Sequence, residues 1–253
     1  METNMNSVPP YIPPSMTGAG APANQPLGEN PADREELPNI AAVIEAILRQ
    51  PRRVMYHLRQ PGAWRLALGM LTVSILCSLV YGLVVGTFSM GTQLWAAPVK
   101  IALGLLISAL ICLPSLYIFA CLSGSQARLG EICGLVAGLL MLMTILLIGF
   151  APVAWLFSQS TESVAWMGAL HLVFWSVATL FGLRFLEQAF SHSKARSNAG
   201  LNTWIVVFLL VALQMTTALR PLVGKADTFL PAKKQLFLVH WDDCLNLTGS
   251  TQQ

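Results

Sequence analysis

His171 is the residue best placed to do chemistry in this chain, because it is the one titratable side chain clearly inside an apolar run. An imidazole changes protonation near neutral pH, so a proton relay is the chemistry it would serve. Such relays need acidic or histidine partners within the membrane. No apolar segment here offers one, and a packing role one turn from Trp175 is the simpler expectation. Pro114 and Pro152 also lie inside apolar segments. A proline there can break a helix and expose backbone carbonyls to a solute. Together with His171 they define a candidate polar intramembrane site.

Other constellations carry less. Ser123 and Ser125 flank Gly124, and with His171 they have the residue types of a serine protease. A serine near a glycine and a distant histidine is, however, an unspecific pattern. There is no P-loop, no H-E-x-x-H, no G-x-S-x-G and no metal-spaced Cys/His set. His240, Trp241, Asp242, Asp243 and Cys244 adjoin in the tail, but adjacency is not a coordination geometry. Of the 5 cysteines, Cys77, Cys112, Cys121 and Cys133 sit in apolar runs and read as small packing residues. The expectation is therefore a non-enzymatic chain with no catalytic residues, no cofactor and no metal.

The elements that would hold these residues follow from composition. The 253 residues are 55% hydrophobic and 11% charged, with mean hydropathy +0.61. A soluble domain carries about 25% charged residues. Charges almost vanish between Leu66 and Phe185, so lipid must be the solvent of the middle. A net charge of +3 without a basic stripe excludes nucleic acid as a partner. Five apolar segments, 66–88, 96–122, 132–157, 164–186 and 201–219, are each long enough for a span. Trp64, Trp95, Trp155, Trp166 and Trp204 fall near their boundaries, where indoles favour the interface. The predicted fold is an all-α integral membrane bundle of about five transmembrane helices, preceded by an amphipathic interfacial helix pair.

Four regions result: a Pro-rich disordered arm over 1–38, interfacial helices over 39–62, the spans over 63–219 and a polar tail over 220–253. The first 38 residues lack a basic segment followed by an apolar core, so the first span is expected to act as the targeting signal. In the helix pair, Asn39 is a suitable N-cap and Ile40, Val43, Ile44, Ile47 and Leu48 form one stripe. Pro51 ends that helix and starts another bearing Arg52, Arg53 and Arg59, whose cations are expected at lipid headgroups. Lys100 and Glu131, at span edges, are expected to reach the same level.

Arg49, Arg52, Arg53, Arg59, Arg65, Arg128, Arg184, Lys194 and Arg196 fall on one side, and Lys100, Arg220, Lys225, Lys233 and Lys234 on the other. This bias places the N-terminus in the cytoplasm. In a bacterium the compartment would be the inner membrane. Ser74, Ser78, Gly82 and Gly86 recur every fourth residue, as do Gly130, Gly134 and Gly138. Such ladders let helix backbones approach. They suit packing within the bundle and, as the alternative, a homo-oligomer.

A proline-rich arm, then Ile47-Leu48-Arg49-Gln50-Pro51-Arg52-Arg53, then five spans resembles the bacterial members of the Yip1 family. Gly130-Glu131-Ile132 leading to Gly149-Phe150-Ala151-Pro152, and Phe174-Trp175 leading to Gly182-Leu183-Arg184, extend the likeness over roughly residues 40–218. The resemblance implies five spans and a cytosolic N-terminal region. The Asp-Leu-Tyr-Gly-Pro signature of eukaryotic members is missing, so their GTPase partner is not carried over. The functional expectation is a membrane-organising or partner-recruiting scaffold that contacts the lipid bilayer and a membrane or cytosolic protein. The alternative is a small transporter or channel with a solute path near His171 and Pro114.

Overall fold

A computed structural model of the chain describes residues 26–89, 93–125, 127–160, 164–192 and 199–218. The tail expected over 220–253, with its 240–244 cluster, lies outside the described residues, as do the first 25 residues of the arm. The fold is all-α: α1 (Ile40–Arg49), α2 (Pro51–Leu58), α3 (Ala63–Ser89), α4 (Gln93–Leu122), α5 (Leu129–Ser160), α6 (Val164–Ser191) and α7 (Ala199–Ala218). The helices α3 to α6 are long and apolar enough to cross a membrane. The fifth expected span, α7, has 20 residues. Its apolar stretch, Ala199–Met215, is shorter than those of α3 to α6.

The spans pack in an order different from their order in the chain. α5 is central, packing on α3 and α6, while α3 also packs on α4 and α4 on α7. In its most apolar stretch α5 is 72% buried, against 33% for α3 and α4, which therefore give most of their surface to lipid. Trp64, Trp95, Trp155 and Trp166 are exposed near helix ends, as interface residues should be. Trp204 differs from expectation: it is buried in the core. Its Nε1–H donates to the Cys112 carbonyl of α4 at 2.8 Å, and its ring stacks on Phe208. The carbonyl two residues before Pro114 also accepts from Ser115 Oγ at 2.8 Å.

Small residues decide where the helices meet. At Gly82 a Cβ would collide with the Cα and N of Pro98, so α3 and α4 cross there backbone to backbone. Ser74, Ser78 and Gly86 of the same ladder are buried. On α5 a Cβ at Gly134 would lie 2.5 Å from Leu58 Cδ2, and one at Gly138 would lie 2.9 Å from the Phe185 ring. These glycines seat α2 and α6. Gly130 departs from the expected ladder: it is exposed and a Cβ there would meet nothing within 4 Å. Both ladders are thus occupied inside the chain wherever they are tight.

Turns complete the frame. Gly62, at φ 89°, joins α2 to α3 in a backbone region that side chains disfavour. Gly124, at φ 78°, ends α4, where Ser125 N–H donates to the Ala120 carbonyl at 3.0 Å and Gly124 N–H to that of Cys121 at 3.0 Å. That is a Schellman cap. The serine-flanked glycine at 123–125 is therefore a helix terminator.

Candidate functional site: a charged cap and a buried polar pair

The helix pair before the spans forms as expected. The Asn39 side chain accepts from Ala42 N–H at 2.8 Å, and Pro51 takes the first turn of α2. Its apolar side faces the bundle: Val43, Ala46, Ile47, Val54, Met55 and Leu58 are buried in the core shared with the spans. Residues 26–38, expected to belong to a disordered arm, are folded onto this pair. Asn30 caps a short 3-10 turn over Pro31–Arg34, which buries Asp33. Leu27 and Leu37 pack against the core.

The three arginines expected at lipid headgroups are instead engaged by the protein itself. Arg52 pairs with Asp33 at 3.3 Å, and its Nη1 lies 2.9 Å from His192 Nε2 at the end of α6. Asp33 Oδ2 also accepts from Gly28 N–H at 3.1 Å. Arg53 pairs with Glu35 at 3.2 Å and donates to the Glu35 and Glu36 carbonyls. Arg59 reaches Glu131, at the start of α5, at 2.8 Å, and donates to the His192 carbonyl at 3.3 Å. Because a guanidinium only donates, His192 Nε2 must accept; Nδ1 then donates to the Gln188 carbonyl at 2.7 Å. Side chains thus tie residues 26–59 to the ends of α5 and α6. Glu131, expected near headgroups, is one of these anchors.

The intramembrane candidates differ in exposure. His171 is buried on α6, its Nδ1 2.7 Å from the hydroxyl of Tyr81 on α3, with its ring edge-on to Phe174. Pro114 and Pro152 are both exposed, on the lipid-facing surface of α4 and α5. Tyr81 and His171 lie near the end of the bundle opposite the cap, whereas Ser123 and Ser125 lie at the cap end, so no protease-like grouping forms. Lys100, expected to reach headgroups, is fully buried on α4. Among the described residues, no three His, Cys, Asp or Glu side chains group to hold a metal ion.

The Tyr81–His171 link has a testable weight. Tyr81→Phe leaves a buried imidazole nitrogen without its partner, which costs about 1–3 kcal/mol. A clear fall in the thermal midpoint of the protein in lipid discs is the expected result; an unchanged midpoint would show that the bond contributes nothing.

Tyr81, Trp204, Asp33 and His192 were the residues that sequence reasoning did not single out as partners. Asp33 could have been suspected from the Asn-Pro-x-Asp turn around it, since Asn before Pro favours turn initiation. No family model, no curated protein and no solved structure matches the chain.

Proposed function

We propose that this chain is a non-enzymatic, multi-pass membrane protein that recruits a partner or organises the membrane through a rigid charged cap at its cytosolic end. The observation that carries this is the clamping of α1 and α2 onto the bundle by Arg52–Asp33 and Arg59–Glu131, which presents a fixed surface. The outer side of that surface mixes Ile40 and Leu48, both exposed, with the exposed Glu45–Arg49 pair. A protein partner with an apolar patch rimmed by charge fits it. The cap end holds Arg49, Arg52, Arg53, Arg59, Arg65 and Arg128, which supports a cytosolic position by the positive-inside rule. In a bacterium that is the cytosolic face of the inner membrane. The likeness to Yip1-family proteins, with their cytosolic N-terminal region, points in the same direction.

Extraction of the full-length chain into lipid discs, with mass spectrometry of what co-purifies, tests the proposal. A stoichiometric partner is expected, lost at least tenfold on Leu48→Arg and Arg49→Glu, exposed changes that leave the bundle intact. A partner held equally by both variants, or a homo-oligomer without one, would contradict the proposal.

A small transporter is the second reading, and one observation favours it: His171 Nε2 is buried without a hydrogen-bond partner. Solute flux in proteoliposomes that falls on His171→Leu would move the weight to it.

A further inference from the structure

A groove of about 510 Å³ opens where the segment before α1 meets the start of α3. Its mouth holds Glu36, His57, Gln60 and Arg65, and its floor is Met70, Val73 and Met141. The mouth is polar and the floor is apolar, and the two lie at different depths in the bilayer. Trp64, exposed beside Arg65, marks the interface. Val73 is ten residues into α3, about 15 Å deeper. That is roughly half of the 30 Å hydrocarbon core. The groove therefore runs from headgroup level to near the middle of the membrane.

The mouth carries one carboxylate, Glu36, and one guanidinium, Arg65. Arg65 is exposed, lies 5.5 Å over the Trp64 ring, and makes no ion pair with any described residue. Of the cap's other arginines, Arg49, Arg52, Arg53 and Arg59 are each paired with a carboxylate, and Arg34 donates to the Gly28 carbonyl. A planar guanidinium at the mouth of an apolar slot suits a phosphate group carrying a long alkyl chain. Gly69 keeps the wall open: a Cβ there would meet nothing within 4 Å.

We propose that this groove holds one acyl chain of a single phospholipid, with its phosphate at Arg65. The inference is independent of the scaffold proposal, because a lipid here would tie the cap to the membrane whatever the cap recruits.

The test is native mass spectrometry of the full-length protein, titrated with palmitoyl-oleoyl phosphatidylglycerol and with the matching diacylglycerol that lacks phosphate. Wild type is expected to retain one phospholipid and to bind diacylglycerol at least tenfold more weakly. Gly69→Leu, whose Cβ meets nothing within 4 Å and whose branch extends into the slot, should weaken phospholipid binding at least tenfold at an unchanged thermal midpoint. Arg65→Gln, at an exposed site, should weaken phospholipid binding and leave diacylglycerol binding unchanged, and it keeps the proposal testable if Gly69→Leu fails to fold. Equal retention by both variants, or equal binding of the two lipids, would overturn the proposal. Capture of a lipid only after deletion of residues 1–25 would assign the groove to the chain's own arm and overturn it as well.

Discussion

Gly82→Leu is expected to abolish most of the folded protein, while Gly130→Leu, a glycine of the second ladder, leaves it intact. The reason is what each site faces. At Gly82 the obstruction is the backbone of Pro98, its Cα and N, which cannot swing aside as a side chain can. Overpacking a tight interior costs about 1–3 kcal/mol and more where backbone must move. Here α4 would have to lift from α3, and helices in lipid have no hydrophobic force to bring them back together. Even Gly82→Ala should lower the thermal midpoint. Pro98→Ala should not rescue either variant, because alanine keeps the colliding Cα and N. Gly130 has open space around it, so leucine there projects outward. Detergent-extracted yield and thermal midpoints of the variants check this, and a Gly82→Leu protein as stable as wild type would remove the α3–α4 crossing from the account.

Asp33→Ala is expected to release the cap while leaving the spans folded. The Asp33 and Arg52 side chains are only 6% and 16% exposed, so their pair is largely withdrawn from water. Removing one partner of a buried pair costs about 3–5 kcal/mol, because the other charge is stranded. The Gly28 N–H loses its acceptor at the same time. The expected readout is rapid protease cleavage near the α1–α2 junction, with α3 to α6 still resistant. Glu45→Ala provides the contrast. Its pair with Arg49 is exposed on both sides, 76% and 66%, and such pairs contribute about 0–1 kcal/mol. Its cleavage pattern should match wild type.

The spans were legible in the sequence because lipid demands long unbroken apolar runs, and α3 to α6 fall within a few residues of expectation. The Asn39 cap and the Pro51 break were legible for a local reason: each is fixed by its own backbone geometry. What faces what was less legible. An amphipathic stripe such as Val43, Ile47 and its neighbours has the same pattern whether it lies on lipid or on protein. Arg52, Arg53 and Arg59 likewise looked like headgroup ligands until Asp33, Glu35 and Glu131 were brought beside them by the fold. Spacing alone also made Gly130 resemble Gly134, although only one of them meets a neighbour. Position within a span also left open that Pro114 and Pro152 are exposed while His171 is buried, because it gives depth in the membrane but not the direction in which a residue points.

Hydrogen–deuterium exchange of the full-length protein in lipid discs tests the central claim most directly, that α1 and α2 are a cap fixed to the bundle. Exchange in α1 and α2 should be nearly as slow as in α5, independent of anionic lipid content, and strongly accelerated by Asp33→Ala. Protection that rises with anionic lipid and ignores Asp33→Ala would mean that the two helices lie on the membrane surface, and the clamped cap would be contradicted.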